Sequence, residues 1–481
     1  MCTLGGIASI NGLPISSKVD VLQSIISKLD LRGRDAFGCF VMTKDGACYK
    51  ETSSDKDAIA KMVSGLYDRG ILAVIATGRA IPASERVFGD IHIERDTQPF
   101  FDRSNGWVVS HNGIIANDNV LCDKYSLRRV GGSPVDTAIM PDLLGLRGVR
   151  QAIEDLEGSF ALAMLNTKDK QMVFATNFMP LYIKKADNAI MWGSMDIMLP
   201  EGAQQLPYYS VMTARDGKVG TYSLPNRLDS KKVVVVCSGG LDSVTTLFLY
   251  KALGYDVTML HFNYGQAAEE VEDFSTGYIS KYYGIDRYVI DARGLIHQIS
   301  TSSPILGSRP RGERHWDMET TYSYVGARNL IFTSIAMSLA ERLGAGKVAL
   351  GLNIDDSTYP DNNLTYINEI SKVGSLSLNW NNRVEVRAPL VNLTKKEIIE
   401  VAIAVGSPLH LQVSCYYPKL INGKIYNCGK CGCDKLREYS FKALRLKDPI
   451  PYLGSISWDG CDEIPTTGSS DKIPYLEYLR L

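Results

Sequence analysis

The sequence predicts two domains, a β-rich sandwich followed by an α/β domain built on a doubly wound parallel sheet. Three observations carry that expectation. The chain has 481 residues, more than one hydrophobic core ordinarily serves. Its first half holds short strand-like runs divided by Gly, Asn and Asp turns. Beyond a polar, proline-bearing stretch, SLPNRLDSKK at 223–232, strand and helix patterns alternate, as parallel sheets require.

In the first half the runs GILAVIAT (70–77), GWVVSHNGII (106–115), FALAML (160–165) and QMVFAT (171–176) read as strands. In the second, VVVVC (233–237) is a continuous buried strand, VTTLFLYKALG (244–254) a helix closed by glycine, and DVTMLHFNYGQ (256–266) the next strand. NLIFTSIAMSLAERLG (329–344) and KVALGLN (347–353) repeat the helix–strand order. From Asp448 onward the chain is rich in Pro, Gly and Ser and reads as an irregular tail. The expected domains are therefore 2–226 and 232–447, with a tail over 448–481.

Composition narrows the class. A hydrophobic fraction of 45% and a charged fraction of 22% are those of a globular protein. A formal net charge of −1 speaks against broad electrostatic capture of nucleic acid. No apolar run approaches the roughly 20 residues of a membrane span, and MCTLGGIASING lacks the basic start and cleavage pattern of a secretory signal. Of ten cysteines, three crowd into CGKCGC at 428–433. That is poor disulfide scaffolding and good metal spacing, which points to a reducing cytoplasm.

The hexapeptide SGGLDS (238–243) leaves the VVVVC strand and opens a helix. Gly239 and Gly240 let backbone approach an anion, and the helix start at Leu241 offers unpaired N–H groups. Ser238 and Ser243 add hydroxyls, while Asp242 can hold a metal ion or orient the turn. No lysine completes a Walker loop. The motif resembles that of the PP-loop ATP pyrophosphatases, which implies an α/β ATP-binding domain, ATP with Mg²⁺, and adenylation of a substrate oxygen. HFNYGQ (261–266), VGARN (325–329) and GLNIDDSTYPDNN (351–363) resemble segments of the 7-cyano-7-deazaguanine synthases. Gly326 and Ala327 stand where those enzymes carry Pro-Gly. The resemblance implies that Tyr264, Gln266, Arg328, Asn329, Tyr359 and Asp361 bind a 7-deazaguanine. It also implies a structural Zn²⁺ at the cysteine cluster, whose last interval is one residue shorter here, and Cys415, Cys428, Cys431 and Cys433 are the expected ligands. Four thiolates would close a tetrahedral site and leave no catalytic position open.

Removal of the initiator Met would leave Cys2 first, carrying a nucleophilic thiol and its own α-amino base, with a pKa near ~8. LRGRDAFG (31–38), TGR (77–79), SHNGII (110–115), VDT (135–137) and LEGSFALAML (156–165) follow in the order of the class II glutamine amidotransferases, which they resemble. That resemblance implies an Ntn-type αββα glutaminase sandwich in which Cys2 attacks the glutamine amide. Asn112 and the Gly113 N–H would stabilise the oxyanion, Arg79 grip the α-carboxylate and Asp136 hold the α-ammonium.

Together the halves resemble the fused amidotransferase–deazaguanine synthase type known from archaea and some phages. The expected partners are glutamine, ATP and a 7-deazaguanine as free base or in tRNA or DNA, with no membrane and a homodimer allowed for. The reading set first is formation of the formamidine of archaeosine from a nitrile. The alternative is ATP-dependent synthesis of 7-cyano-7-deazaguanine from 7-carboxy-7-deazaguanine. An asparagine synthetase-like enzyme is remoter, since such enzymes lack the Tyr-Gly-Gln strand and the cysteine cluster.

Overall fold

The structure, a computed structural model, describes residues 2–15, 18–81, 92–299, 303, 306, 325–356, 359–465, 473–475 and 479. It divides into two compact units, Met1–Pro225 with Asn379–Asn381, and Asn226–Leu378 with Asn382–Leu481.

The first unit contains two antiparallel sheets. One has seven strands in the order Gln204–Gln205, Tyr182–Ala186, Ala189–Gly193, Thr3–Ser9, Ile71–Arg79, Ala36–Thr43 and Cys48–Ser53. The other has six, from Lys218–Ser223 through Ser210–Arg215, Met172–Thr176, Gly158–Asn166 and Trp107–Ile115 to Phe100–Phe101. Every residue of Ile71–Arg79 is buried, because the strand is covered on both faces. Ala73 and Ile75 face the second sheet, in a core with Phe40, Phe174 and Trp192. Val74 and Ala76 point the other way, against Ile25 and Val63 of the helices Val19–Ser27 and Lys56–Ser64. The helix Met140–Glu154 covers the outer face of the second sheet through Leu143 and Leu144. The order is helix, sheet, sheet, helix, the αββα sandwich expected from the sequence.

In the second unit a five-stranded parallel sheet runs Asp286–Asp291, Asp256–Asn263, Asp229–Val236, Ala345–Leu350, Glu385–Arg387. The first strand starts within the polar stretch read as a boundary and lies at the centre. One face, with Val234, Leu260 and Val348, packs on Phe332 and Ala336 of the helix Arg328–Leu343. The opposite face, with Val233, Val235 and Met259, packs on Val244 and Leu247 of Leu241–Ala252. Connections leave the central strand in both directions, which opens a crevice at its carboxyl end, the usual ligand position in such sheets.

Irregular chain after Asp448 is nonetheless fastened. Arg437, on the helix Gly432–Ala443, donates to the Asp448 carboxylate at 2.7 and 3.0 Å and to the Gln412 carbonyl at 2.9 Å, all of it buried. The Tyr452 hydroxyl closes on the same carboxylate at 2.7 Å. Among the described residues no helix is long and apolar enough to cross a membrane.

Candidate functional site

In the first unit, pairing of Thr3 with Gly78 sets Cys2 beside the end of the Ile71–Arg79 strand. Burial pushes the Cys2 thiol up; a hydrogen bond with the Ala80 backbone and the charges of the chain's amino end and Arg79 oppose this, and Asp136 also acts on it. Arg79 is itself buried. Cys2, Arg79 and Asp136, far apart in sequence, thus share one site.

Asn112 is wholly buried, and neither its side-chain oxygen nor its nitrogen has a hydrogen-bond partner among the described residues. Buried amides are ordinarily satisfied, so both Asn112 atoms remain available for a hydrogen bond. Gly113 follows at φ +143°, where a Cβ would stand 1.9 Å from the Ser159 carbonyl oxygen. Only glycine fits there. Asp136 accepts from the backbone N–H of Ile115 at 2.7 Å and of Thr137 at 2.6 Å, which ties it to the strand carrying Asn112 and Gly113. His111, not singled out from the sequence, braces the same corner. Its Nδ1 lies 2.9 Å from the Thr137 hydroxyl and its Nε2 3.2 Å from the Ser159 carbonyl, and burial lowers its pKa so that the ring is neutral. The adjacent Asn-Gly pair was the signal that could have found it.

In the second unit a cavity of about 270 Å³ opens at the sheet's carboxyl end. Ser238, Gly240, Leu241, Asp242 and Ser243 line it. The helix Leu241–Ala252 starts at Gly240 with no side-chain cap, so its first N–H groups remain available to an anion. Gly239, at φ +84°, lets the turn reverse and gives its carbonyl to the Val413 N–H at 2.7 Å. Gly351 ends the neighbouring strand, where a Cβ would lie 2.5 Å from the Ser243 nitrogen.

The turn also has a partner that sequence reading missed. Lys395, at the start of the helix Lys395–Ala404, forms an ion pair with the Asp242 carboxylate. Asn353 donates to Asp242 at 3.1 Å and to Asp356 at 2.7 Å, and Lys395 lies 3.8 Å from Asp356. Burial works against the Lys395 charge, but Asp242 and Asp356 outweigh it and raise its pKa. Burial pushes the Asp242 carboxyl up while Lys395 pulls it back. Of the two roles open for Asp242, orientation of the turn is the one this geometry fills.

The six residues expected to bind the base line the same cavity. Arg328 donates to the Tyr264 hydroxyl at 3.3 Å. Asp361 accepts the Asn329 N–H at 3.2 Å, and the Asn329 side chain reaches its carbonyl at 3.3 Å. Tyr359 completes that wall. Glu272, from the helix Glu269–Tyr283, is an unexpected member; burial lifts its carboxyl to about 7.

The cysteine cluster differs from expectation in one ligand. Cys415, Cys428, Cys431 and Asp434 place one donor atom each within 4.8 Å of one another, whereas Cys433 is outside that group, packs against the three cysteines and lines the cavity, as Cys415 also does. The cause is helical geometry. The helix begins at Gly432, so consecutive residues point about 100° apart, and the position three after Cys431 faces the cluster. That position holds a carboxylate. Asp434 therefore stands at the spacing from Cys431 where a third thiolate was expected.

The donor set suits a cation. Backbone N–H groups point at sulfur, from Tyr417 and Cys428 to Cys415 at 3.3 and 3.2 Å and from Lys430 to Cys428 at 3.4 Å. Asp434 Oδ2 takes the Gly429 N–H at 2.7 Å, and its buried Oδ1 has no hydrogen-bond partner among the described residues. Three thiols and a carboxylate buried together cannot all ionise without positive charge between them. The Cys433 thiol is raised to about 12 by burial and then by Asp356.

A Cys–Arg–Asp site with open amide positions on an αββα sandwich, and an SGGLDS cavity on a doubly wound sheet, define a class: a glutamine-hydrolysing amidotransferase joined to an ATP pyrophosphatase. Comparison with known proteins agrees. Residues 84–200 match the family model described as "Glutamine amidotransferase domain" and residues 232–445 the one described as "Queuosine biosynthesis protein QueC". The 7-cyano-7-deazaguanine synthase of Saccharolobus solfataricus is 34% identical over 94% of this chain and 99% of its own. That of Sulfolobus acidocaldarius is 33% identical over 94% and 100%. The enzyme of the same name from Thermoplasma acidophilum is 36% identical, over 47% of this chain and 93% of its own. The chain belongs to the 7-cyano-7-deazaguanine synthase family, and to its form with a glutamine amidotransferase domain.

Proposed function

We propose that this chain takes ammonia from glutamine and uses ATP to convert 7-carboxy-7-deazaguanine into 7-cyano-7-deazaguanine. The observation that carries the reading is the ATP cavity, in which an uncapped helix start and an Asp242 fixed by Lys395 and Asn353 share walls with the residues expected to hold the base. In the first unit Cys2 is the nucleophile, Arg79 and Asp136 grip the amino-acid end of glutamine, and Asn112 with the Gly113 N–H receives the oxyanion. In the second, Ser238–Ser243 hold the phosphates. Carboxylate oxygen is a poor leaving group, so ATP adenylates it and ammonia displaces AMP. Loss of the remaining oxygen, from amide to nitrile, requires a second activation. Zn²⁺ on Cys415, Cys428, Cys431 and Asp434 supplies structure alone, since all four positions are filled by protein. Free thiols throughout suit the reducing cytoplasm.

Formation of the formamidine, the reading set first on sequence, becomes second. The fused glutaminase suits it equally, but ammonia adds to a nitrile without expelling oxygen and leaves the ATP cavity without a task. The test is one incubation series with glutamine and either 7-carboxy-7-deazaguanine or nucleic acid bearing the 7-cyano base, each with and without ATP. The expected result is nitrile formed only with ATP, with two AMP released per nitrile. ATP-free conversion of the nucleic acid would overturn it in favour of the formamidine.

A further inference from the structure

Gln266 is expected from resemblance to touch the base, yet its side chain is spent inside the protein. Its oxygen accepts the Tyr264 N–H at 2.8 Å, and its nitrogen donates to the Phe262 carbonyl at 3.2 Å and to Glu272 Oε2 at 2.8 Å. The amide is therefore fixed in orientation, and what it fixes is Glu272. The other carboxylates that line the cavity have protein partners: Asp242 and Asp356 face Lys395, and Asp361 takes a backbone N–H. Glu272 Oε1 has no hydrogen-bond partner among the described residues, and Oε2 keeps a lone pair. Arg328 acts on Glu272 only through its charge. The same cavity is lined by aromatic rings: Phe332, stacked on Phe262 at 4.0 Å and 2°, and Tyr264, whose ring meets Phe332 edge-on at 5.4 Å.

A cavity that holds both aromatic rings and a two-oxygen acceptor fixed by an amide fits a planar heterocycle with two adjacent N–H donors. A 2-amino-pyrimidin-4-one ring has that edge, with N1–H beside its exocyclic amine; adenine, with an acceptor at N1, does not. We infer that Glu272 is the specificity-determining acceptor for the N1–H and 2-amino edge of the substrate base, with Gln266 as its positioning residue. This rests on the reading that the acceptor is a 7-deazaguanine.

The test measures binding to the full chain by titration calorimetry. The ligands are 7-carboxy-7-deazaguanine, its analogue lacking the 2-amino group, and ATP, each against the wild type and Glu272→Gln. Wild type should bind the 2-amino compound at least about tenfold more tightly than the analogue, as a hydrogen bond to a charged group requires. Glu272→Gln, which sets an amide donor against a donor edge, should lose roughly ten- to a hundredfold for the 2-amino compound. It should also lose the discrimination while binding ATP as before. Glu272→Asp should keep the discrimination. Should Glu272→Gln fail to fold by circular dichroism, the wild-type comparison of the two bases still decides. Wild type that binds and converts the base without discriminating overturns this inference alone. So does a variant whose loss falls on ATP, or one that still discriminates. Wild type that binds neither base overturns the proposed function with it.

Discussion

Replacing Lys395 by Met tests the charge logic of the ATP turn directly. The Lys395 and Asp242 side chains are only 9% and 15% exposed, so the substitution leaves a largely buried carboxylate without its lysine partner. Removing one partner of a buried pair costs about 3–5 kcal/mol. An independent bound agrees: the carboxyl can escape by taking a proton, and holding Asp242 neutral at pH 7 against an unfolded pKa near 3.9 costs about 4 kcal/mol at most. The sign follows. A carboxyl whose folded pKa is raised binds more protons folded than unfolded, so stability falls as pH rises. The penalty should be largest near pH 7 and shrink to about 1 kcal/mol or less below roughly pH 4.5. The assay is urea denaturation of the full chain without ATP at both pH values, followed by circular dichroism, reading the shift of the transition between wild type and variant. Adding Asp242→Asn should restore most of the stability and none of the AMP release. A single variant that loses under about 1 kcal/mol at pH 7, or that keeps ATP-dependent turnover, would refute the reasoning.

Cys2→Ala should abolish glutamine hydrolysis while ammonium salts still support product, measured as glutamate release and AMP release side by side. Asn112→Ala should lower glutaminase kcat by about 10²–10³, the usual cost of one oxyanion donor, with KM for glutamine changed far less. Elemental analysis should find about one zinc per chain; Asp434→Ala should lower it and Cys433→Ser leave it unchanged, and the reverse pattern would return the fourth ligand to Cys433. Ser238→Ala should slow AMP release even with ammonium salts, without altering glutamate release.

How much was legible beforehand depended on whether a residue's role is local. The strands at 70–77 and 106–115 were readable because their apolar character and flanking turns are properties of short windows. SGGLDS was readable because the turn and the helix start that make an anion site lie within six residues. Lys395 was not, since it meets Asp242 from 153 residues away and LTKKE resembles any capped helix start; the Thr394–Glu397 capping box indeed forms there. Glu272 looked like one of several acidic residues in a first turn, and only the cavity separates it from Glu269 and Glu270. Cys433 was singled out by counting thiols along the chain, and Asp434 entered only once the cluster was seen in three dimensions. Residue type favoured 433, while the helical turn brings the 434 carboxylate among the three thiols.

The charges around the cavity bear on how ATP enters it. Among the described residues its lining carries four carboxylates, Asp242, Glu272, Asp356 and Asp361, against two cations, Arg328 and Lys395. Lys395 is already committed to Asp242 and lies near Asp356. Among the described residues a triphosphate approaching this wall meets no surplus of positive charge, unlike one approaching a Walker loop with its own lysine. The oriented N–H groups at the start of Leu241–Ala252 carry only partial charge, on the order of half a unit at a helix end. They can orient the phosphates but cannot offset about four negative charges. Under the proposed function the remainder arrives with the nucleotide as Mg²⁺, and Asp356, whose Oδ2 takes the Asn353 amide and has Lys395 at 3.8 Å, is the carboxylate placed to meet it. ATP without the metal should therefore bind this chain poorly, and raising salt in place of Mg²⁺ should not compensate, because screening weakens repulsion without supplying a ligand.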